Sequence, residues 1–304
     1  MKKLLIVMLI SIIAVTLLLA SGCEKEPVTL ENSWDVPDYV TSGTVVSGLS
    51  ALTVFNEALA NYNDAEYMTF IRSMDFDAGI AGKQQTIDIT KYNNGSTFTQ
   101  GTKQGTGAGE SYDATRFYYD GTNAFECKVR EDAAETRFPA LGTEDWSGLT
   151  YAAYDATDKS VSDKLTEIKR FSLYVFNLDT LSDNHNDSVY LLDGKYYICL
   201  TIDCMDITTG GVQKAVEDDI MSGLGANAVA GSFEWKADTK LYMELTKIDD
   251  QFYITARNLQ ENYQADQKQF GIDIPVECTQ VTSGTYAYEE SYSEITDLEK
   301  MDKA

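Results

Sequence analysis

Cys23 is the residue whose surroundings specify a chemistry most closely. It follows Leu19-Ala20-Ser21-Gly22, and behind these lies a run from Leu4 to Leu19 that is apolar except for Ser11 and Thr16, preceded by Met1-Lys2-Lys3. A secretory leader needs a positive start, a short apolar span and small residues at the cut, in that order. A thiol placed directly after the small residues can carry a diacylglyceryl group, and cleavage before it leaves an acylated N-terminus. An uncleaved membrane helix would need about 20 apolar residues, more than this run supplies. An ordinary cleaved signal would leave the position of Cys23 without a reason.

The segment resembles a bacterial lipobox, with Ala20 where Leu is the commoner residue. On that reading residues 1–22 are a lipoprotein signal peptide. The chain is then extracytoplasmic, anchored to a bacterial membrane by lipid on Cys23. Two or more acyl chains, at about 0.8 kcal/mol per buried methylene, hold a protein stably at a bilayer.

The other residues that could do chemistry are poorly placed for it. His185 is the only histidine, so a Ser-His-Asp triad would have to use it. It lies in Ser182-Asp183-Asn184-His185-Asn186-Asp187, a polar turn in which a solvated histidine is the plain expectation. The same stretch alternates oxygen ligands as the start of a calcium loop does, but the sixth and twelfth positions from Asp183 are Ser188 and Gly194 instead of Gly and Glu. The glycines of Gly101 to Gly109 lack the Gly-Lys-Ser/Thr ending of a phosphate loop and read as a flexible connection. With 48 acidic residues, no carboxylate pair stands out as a glycosidase pair. No enzyme, metal site or cofactor is therefore expected. Cys127, Cys199, Cys204 and Cys278 allow three disulfide pairings or can remain as buried thiols, and an exported compartment permits both.

A net charge of −24, made more negative when Lys2 and Lys3 leave with the leader, excludes nucleic acid as a partner and repels anionic headgroups. Membrane contact must then come from the lipid. The polar stretch to Val46, with Pro27 and Pro37, reads as a flexible tether over 23–46. Such a coil spans on the order of 25–30 Å. Residues 293–304 read as a loose tail.

Between them, 47–292 form one domain. Leu52, Phe55, Leu59 and Tyr62 make one apolar stripe and predict a helix over Ser47–Tyr62. Further helices are expected over Ser160–Asn177, with Ser162 as a cap, and over Val212–Leu224. Period-two alternation around Asn94-Gly95, Asp120-Gly121 and Asp193-Gly194 predicts three hairpins. Strands are expected at Phe233–Lys236, Lys240–Ile248, Gln251–Arg257, Ile272–Cys278 and Gly284–Glu289, with Asp249-Asp250 as a turn and the Pro275 strand at an edge. The class is α+β: a curved, mostly antiparallel sheet packed on a few helices.

This order of elements, from acylated cysteine and tether to a run of strands, resembles the lipoprotein-carrier (LolA-like) half-barrel group. The resemblance is one of pattern across Ser47 to Tyr292 and carries no signature motif. It implies a sheet wrapped around helices with an apolar cavity for a lipid, an apolar small molecule or a lipidated partner. Soluble carriers lack an anchor, so Cys23 implies a stationary role. The apolar residues expected on the wall are Phe125, Ile198, Leu200, Trp235, Met243 and Phe252. The alternative is a non-enzymatic module that recognises a surface protein or glycan without a cavity, using Trp146, Trp235 or the tyrosines as a stacking platform.

Overall fold

A computed structural model describes residues 42–79, 82–106, 111–130, 142–155, 157–204, 211–224, 228–269, 271–288 and 302–303. All belong to the larger of the two units into which the chain divides, Trp34–Ala304. The expected leader, Cys23, most of the tether and most of the tail lie outside the described residues.

Three helices and fourteen strands are present among the described residues. The helices are α1 (Ala51–Asp64), α2 (Lys159–Lys169) and α3 (Gly211–Leu224). The strands are β1 (Thr44–Val45), β2 (Tyr67–Asp77), β3 (Lys83–Asn93), β4 (Ser96–Thr106), β5 (Ser111–Tyr119), β6 (Asn123–Arg130), β7 (Thr150–Asp155), β8 (Tyr190–Leu192), β9 (Lys195–Ile202), β10 (Glu234–Trp235), β11 (Thr239–Ile248), β12 (Gln251–Gln269), β13 (Ile272–Tyr288) and β14 (Asp302–Lys303). They form one open, curved sheet in the order β1-β8-β9-β11-β12-β13-β2-β3-β4-β5-β6-β7-β14, with β10 beside β12. Every pairing is antiparallel except β7 with β14. The α+β half-barrel expectation holds.

Local chemistry sets the turns. Asn94 and Gly95, Asp193 and Gly194, and Asp249 and Asp250 all take positive φ, the left-handed pair that a two-residue hairpin needs. Asp120 accepts the backbone N–H groups of Thr122 and Asn123 at 2.8 and 2.6 Å and closes the β5–β6 connection. Helix α1 starts at Ala51 behind Ser50 as its cap, not at Ser47. The Asp187 carboxylate accepts from Ser50 Oγ at 2.9 Å and from the Leu52 amide, and its carbonyl takes the Ala51 amide. An anion at a helix N-terminus is stabilising, so the polar turn around His185 serves to dock this helix.

Several boundaries differ from expectation. Helix α2 is capped by Asp158, not Ser162, and ends at Lys169; its Cα path does not continue to Asn177 as a helix. Arg170 through Thr180 runs irregularly, with Val175 exposed. Gly101–Thr106, expected as a loop, is the second half of β4, where Gly101 lets the Asp88 carboxylate lie across it: a Cβ there would meet Asp88 Oδ1 at 2.2 Å. β13 is a single central strand, not two. Pro275 nevertheless lies where expected, because β2 pairs with β13 from Thr279 onward and leaves Pro275 with only β12 beside it.

Paired residues share a face, and the register therefore divides the sheet into two surfaces. One carries Ile198, Leu200, Leu241, Met243, Leu259, Tyr263, Cys278, Tyr286, Phe70 and Tyr92, and is covered by α1, the Phe171–Val189 segment and α3. Helix α2 continues this cover over Phe117 and Ala124. The outer surface carries Phe98, Tyr118 and Cys127 under Trp146 and Leu149.

Candidate functional site

Five of the six expected wall residues meet. Ile198, Leu200 and Met243 are fully enclosed, Trp235 and Phe252 nearly so, and all five belong to the cluster under α1. Their neighbours are largely aromatic: Trp235 packs edge-on against Phe233 and Tyr263, and Phe252 edge-on against Tyr196. Phe125 is placed elsewhere. It lies on the outer surface, stacked on Tyr118 and edge-on to Tyr151. Residue 125 pairs with Tyr118 and Ala153, which puts it on the opposite side from Glu126, and Glu126 points to α2.

The same interior holds polar groups that the sequence reading passed over. Arg72 on β2 and Arg257 on β12 both pair with Gly284 on β13, one from each side. Two strand spacings put their Cα atoms roughly 10 Å apart. Arg257 is 4% exposed and Arg72 is half-buried. The Tyr286 phenol folds back over Gly284, where a Cβ would lie 2.8 Å from Tyr286 Oη. Only glycine leaves this gap.

Each guanidinium is partly held. Arg72 donates to Tyr62 Oη at 2.8 Å and lies over the Phe70 ring at 4.3 Å. Tyr62 in turn donates to the Lys169 carbonyl at 3.2 Å. Arg257 donates to the Phe171 carbonyl and lies over the Phe171 ring at 4.6 Å. Stacking of this kind contributes about 0.5–2 kcal/mol.

Much remains unmatched. Arg72 Nε, Arg257 Nε and the hydroxyls of Tyr92, Tyr286 and Tyr288 are buried without a hydrogen-bond partner. The Tyr286 hydroxyl sits close against Arg72. Each such group costs about 1–3 kcal/mol. Among the described residues no carboxylate lies within 4.0 Å of either arginine.

The nearest acids are compromised as counter-charges. Burial pushes the Asp88 carboxyl up to about 6, with Glu167 adding to the rise and Arg72 and Lys164 opposing it. Burial likewise raises Glu261, whose oxygens already accept from Tyr174 Oη at 2.6 Å and Gln280 at 2.9 Å. Burial lowers Arg257 from its usual value, but an arginine stays protonated at neutral pH. Lys169 adds a third cation, 5.7 Å from the Tyr92 ring. An acidic chain thus carries a cationic patch that runs from the edge of its apolar core to the buried Arg257.

The sequence carried a signal for it. Met68, Phe70, Arg72, Met74 and Phe76 alternate at period two, so an arginine occupies a core position of an apolar series. The expected strands do not include β2, and the expected Gln251–Arg257 strand places Arg257 at an end, where its inward position does not show. The remaining candidates fall away from this site. His185 Nδ1 lies 2.8 Å from the Ser182 carbonyl in its turn. None of the four cysteines forms a disulfide. Trp146 is fully buried on the outer surface, so it offers no stacking platform.

No protein-family model and no curated protein matches the chain. Among solved structures it is similar to OccK5 (OpdH) of Pseudomonas aeruginosa at 9% identity, over 72% of this chain and 54% of that one, with a TM-score of 0.16. An N-terminal dehydratase from the difficidin assembly line aligns at 12% identity, over 85% and 91%, with a TM-score of 0.13. The chain spans about half the length of OccK5, and likeness at these TM-scores carries no argument about function.

Proposed function

We propose that the chain is an exported lipoprotein, held at a bacterial membrane by acyl chains on Cys23. Its half-barrel binds an apolar ligand, or the acyl chain of a lipidated partner, between the sheet and the segments that cover it. The observation that carries this reading is the gathering of Ile198, Leu200, Trp235, Met243 and Phe252 on one sheet surface, covered by short helices and irregular chain.

Such a cover can yield. It is tied to the sheet by the apolar stripe of α1 and by polar contacts, among them Asn61 Nδ2 to the Phe252 carbonyl at 2.8 Å and the Phe252 amide to Glu57 at 2.9 Å. Its irregular part also presents Val175 and Leu178 to solvent, at 43% and 76% exposure, where an arriving acyl chain would first meet apolar surface. The anchor fits a stationary, hand-over role. Recognition of a surface protein or glycan through an aromatic face draws less support: of the large apolar side chains exposed among the described residues, Tyr154 is the aromatic one.

The test is mass spectrometry of lipid extracted from Cys23→Ser protein purified without detergent. Near-stoichiometric acyl lipid is expected, reduced by Leu200→Trp, which fills the interior. Absence of bound lipid together with no uptake of a fluorescent fatty acid overturns the reading. Radiolabelled palmitate incorporation, lost in Cys23→Ser, tests the anchor separately.

A further inference from the structure

The geometry points to an oxyanion seat inside this interior, formed by Arg72 and Arg257 across Gly284 with the hydroxyls of Tyr92 and Tyr286 beside it. The inference rests on the proposed amphiphile-binding role and specifies the head of its ligand. A neutral apolar ligand would need no arginine in the core.

The argument is one of charge, not only of hydrogen bonds. Water can satisfy an orphaned hydroxyl or Nε–H, but it cannot neutralise two guanidinium groups. The usual answer, a carboxylate within ion-pair reach, is missing among the described residues for both arginines. Their two Nε–H groups and the phenols of Tyr92 and Tyr286 supply up to four donors. A guanidinium fork matches an oxyanion with two parallel, charge-assisted bonds. Gly284 adds no side chain of its own to the space between the forks, and the Tyr286 phenol that lies there would turn about its Cα–Cβ bond to admit the oxyanion.

Position supports the same role. Arg72 keeps some solvent exposure and Arg257 almost none, so the seat extends from the rim into the core. Phe70, Phe171 and Tyr62 form its apolar walls, and Leu259 and Met243 continue from Arg257 on the same sheet surface. A head held at the arginines would lay its tail along Met243, Ile198 and Leu200. The shared chemistry is that of a fatty-acid carboxylate, a lipid phosphate and free phosphate.

Delipidated mature chain carrying Cys23→Ser is titrated with oleate, oleyl alcohol and inorganic phosphate. Oleate is expected to bind at least tenfold more tightly than oleyl alcohol. Arg257→Met should bring the two within about twofold of each other while oleyl alcohol still binds, and Lys159→Gln, which removes an exposed charge, should change neither. Millimolar phosphate should raise the melting temperature of the Cys23→Ser parent and not of Arg257→Met. Equal binding of oleate and oleyl alcohol by the parent, with no effect of phosphate, overturns the seat and leaves the amphiphile reading standing. Protection by phosphate that depends on Arg257, with neither lipid bound, supports the seat for a free oxyanion and overturns the lipid reading. No binding by any of the three overturns both. Should Arg257→Met fail to fold, the three titrations of the parent decide alone.

Discussion

Arg116 and Arg257 lie on opposite surfaces of one sheet, both almost wholly buried, and are used in different ways. Arg116 is a pin. Its Nε donates to Gln100 Oε1 at 2.5 Å, another nitrogen donates to the Asp145 carbonyl, and the guanidinium lies 5.8 Å from the centre of the Trp146 ring. It holds the 142–149 segment over β4, β5 and β6, helped by the Lys91–Glu144 ion pair. Arg257 holds one carbonyl and one ring, and shares a glycine gap with a second cation. A buried charge is expensive unless it is paired or hydrogen-bonded. Arg116 meets that expense with two hydrogen bonds inside its own fold, and Arg257 with one. A residue that weakens the fold it sits in points to a function outside it.

The largest expected effects separate the two directly. Arg116→Met removes the pin and strands Gln100 and the Asp145 carbonyl in the interior, and should destabilise by ~3 kcal/mol. Arg257→Met strands only the Phe171 carbonyl and removes an ill-matched charge, so the ligand-free protein should stay within ~1 kcal/mol of the parent or gain stability. Urea unfolding of both measures the difference. Equal losses would make Arg257 a structural residue like Arg116 and dissolve the contrast.

Asp88 sharpens it next, because it is the register partner of Arg72 and still fails to pair with it. Its folded value of about 6 stands above the ordinary 3.8, so the folded protein holds that proton more tightly than the unfolded chain. Stability from this group therefore falls as pH rises from about 4 to about 6, and the cost of the buried charge is fully present above that window. Asp88→Asn should raise stability by roughly 3 kcal/mol at pH 7 and by well under ~1 kcal/mol at pH 4. A constant offset at both values would mean that the carboxyl titrates normally.

The expected elements that proved right were those with local causes: the left-handed hairpin pairs, the stripe of α1 and the alternation in β3, β9 and β11. Those that failed depended on distant partners. The Ile168, Ser172, Val175 spacing reads as helix, yet the chain leaves α2 at Lys169 because Phe171, Tyr174 and Phe176 pack into the core under α1. Phe125 alternates correctly, but alternation cannot say which surface of a sheet with two covered surfaces a residue joins. Gly101 looked like loop because the reason for a glycine there, the Asp88 carboxylate across it, belongs to a neighbouring strand. The arginine seat was hidden for a related reason: two residues 185 positions apart are brought to one glycine by register alone.

Gly284 tests that register. An alanine there would push into the Tyr286 phenol, whose Oη, Cε2 and Cζ stand at 2.8, 3.2 and 3.2 Å from the added methyl. Gly284→Ala is expected to cost about 1–2 kcal/mol and to weaken oleate binding. A neutral Gly284→Ala would show that the phenol moves freely and that the gap between the arginines is already open.

The smallest effect marks where the comparison ends. β12 and β13 extend beyond β2 as a ribbon flanked on the β12 side by β10 and the 228–232 segment, and Pro275 lies there with Asp266 as its only ladder partner. Proline within a sheet is tolerated where its missing N–H faces no strand. Pro275→Val should therefore change the melting temperature by less than about 2 °C, since a shift of 1 kcal/mol corresponds to roughly 2–4 °C in a domain of this size. A gain well beyond that would mean that the proline is breaking a ladder bond to β12. The ribbon would then be strained at its tip.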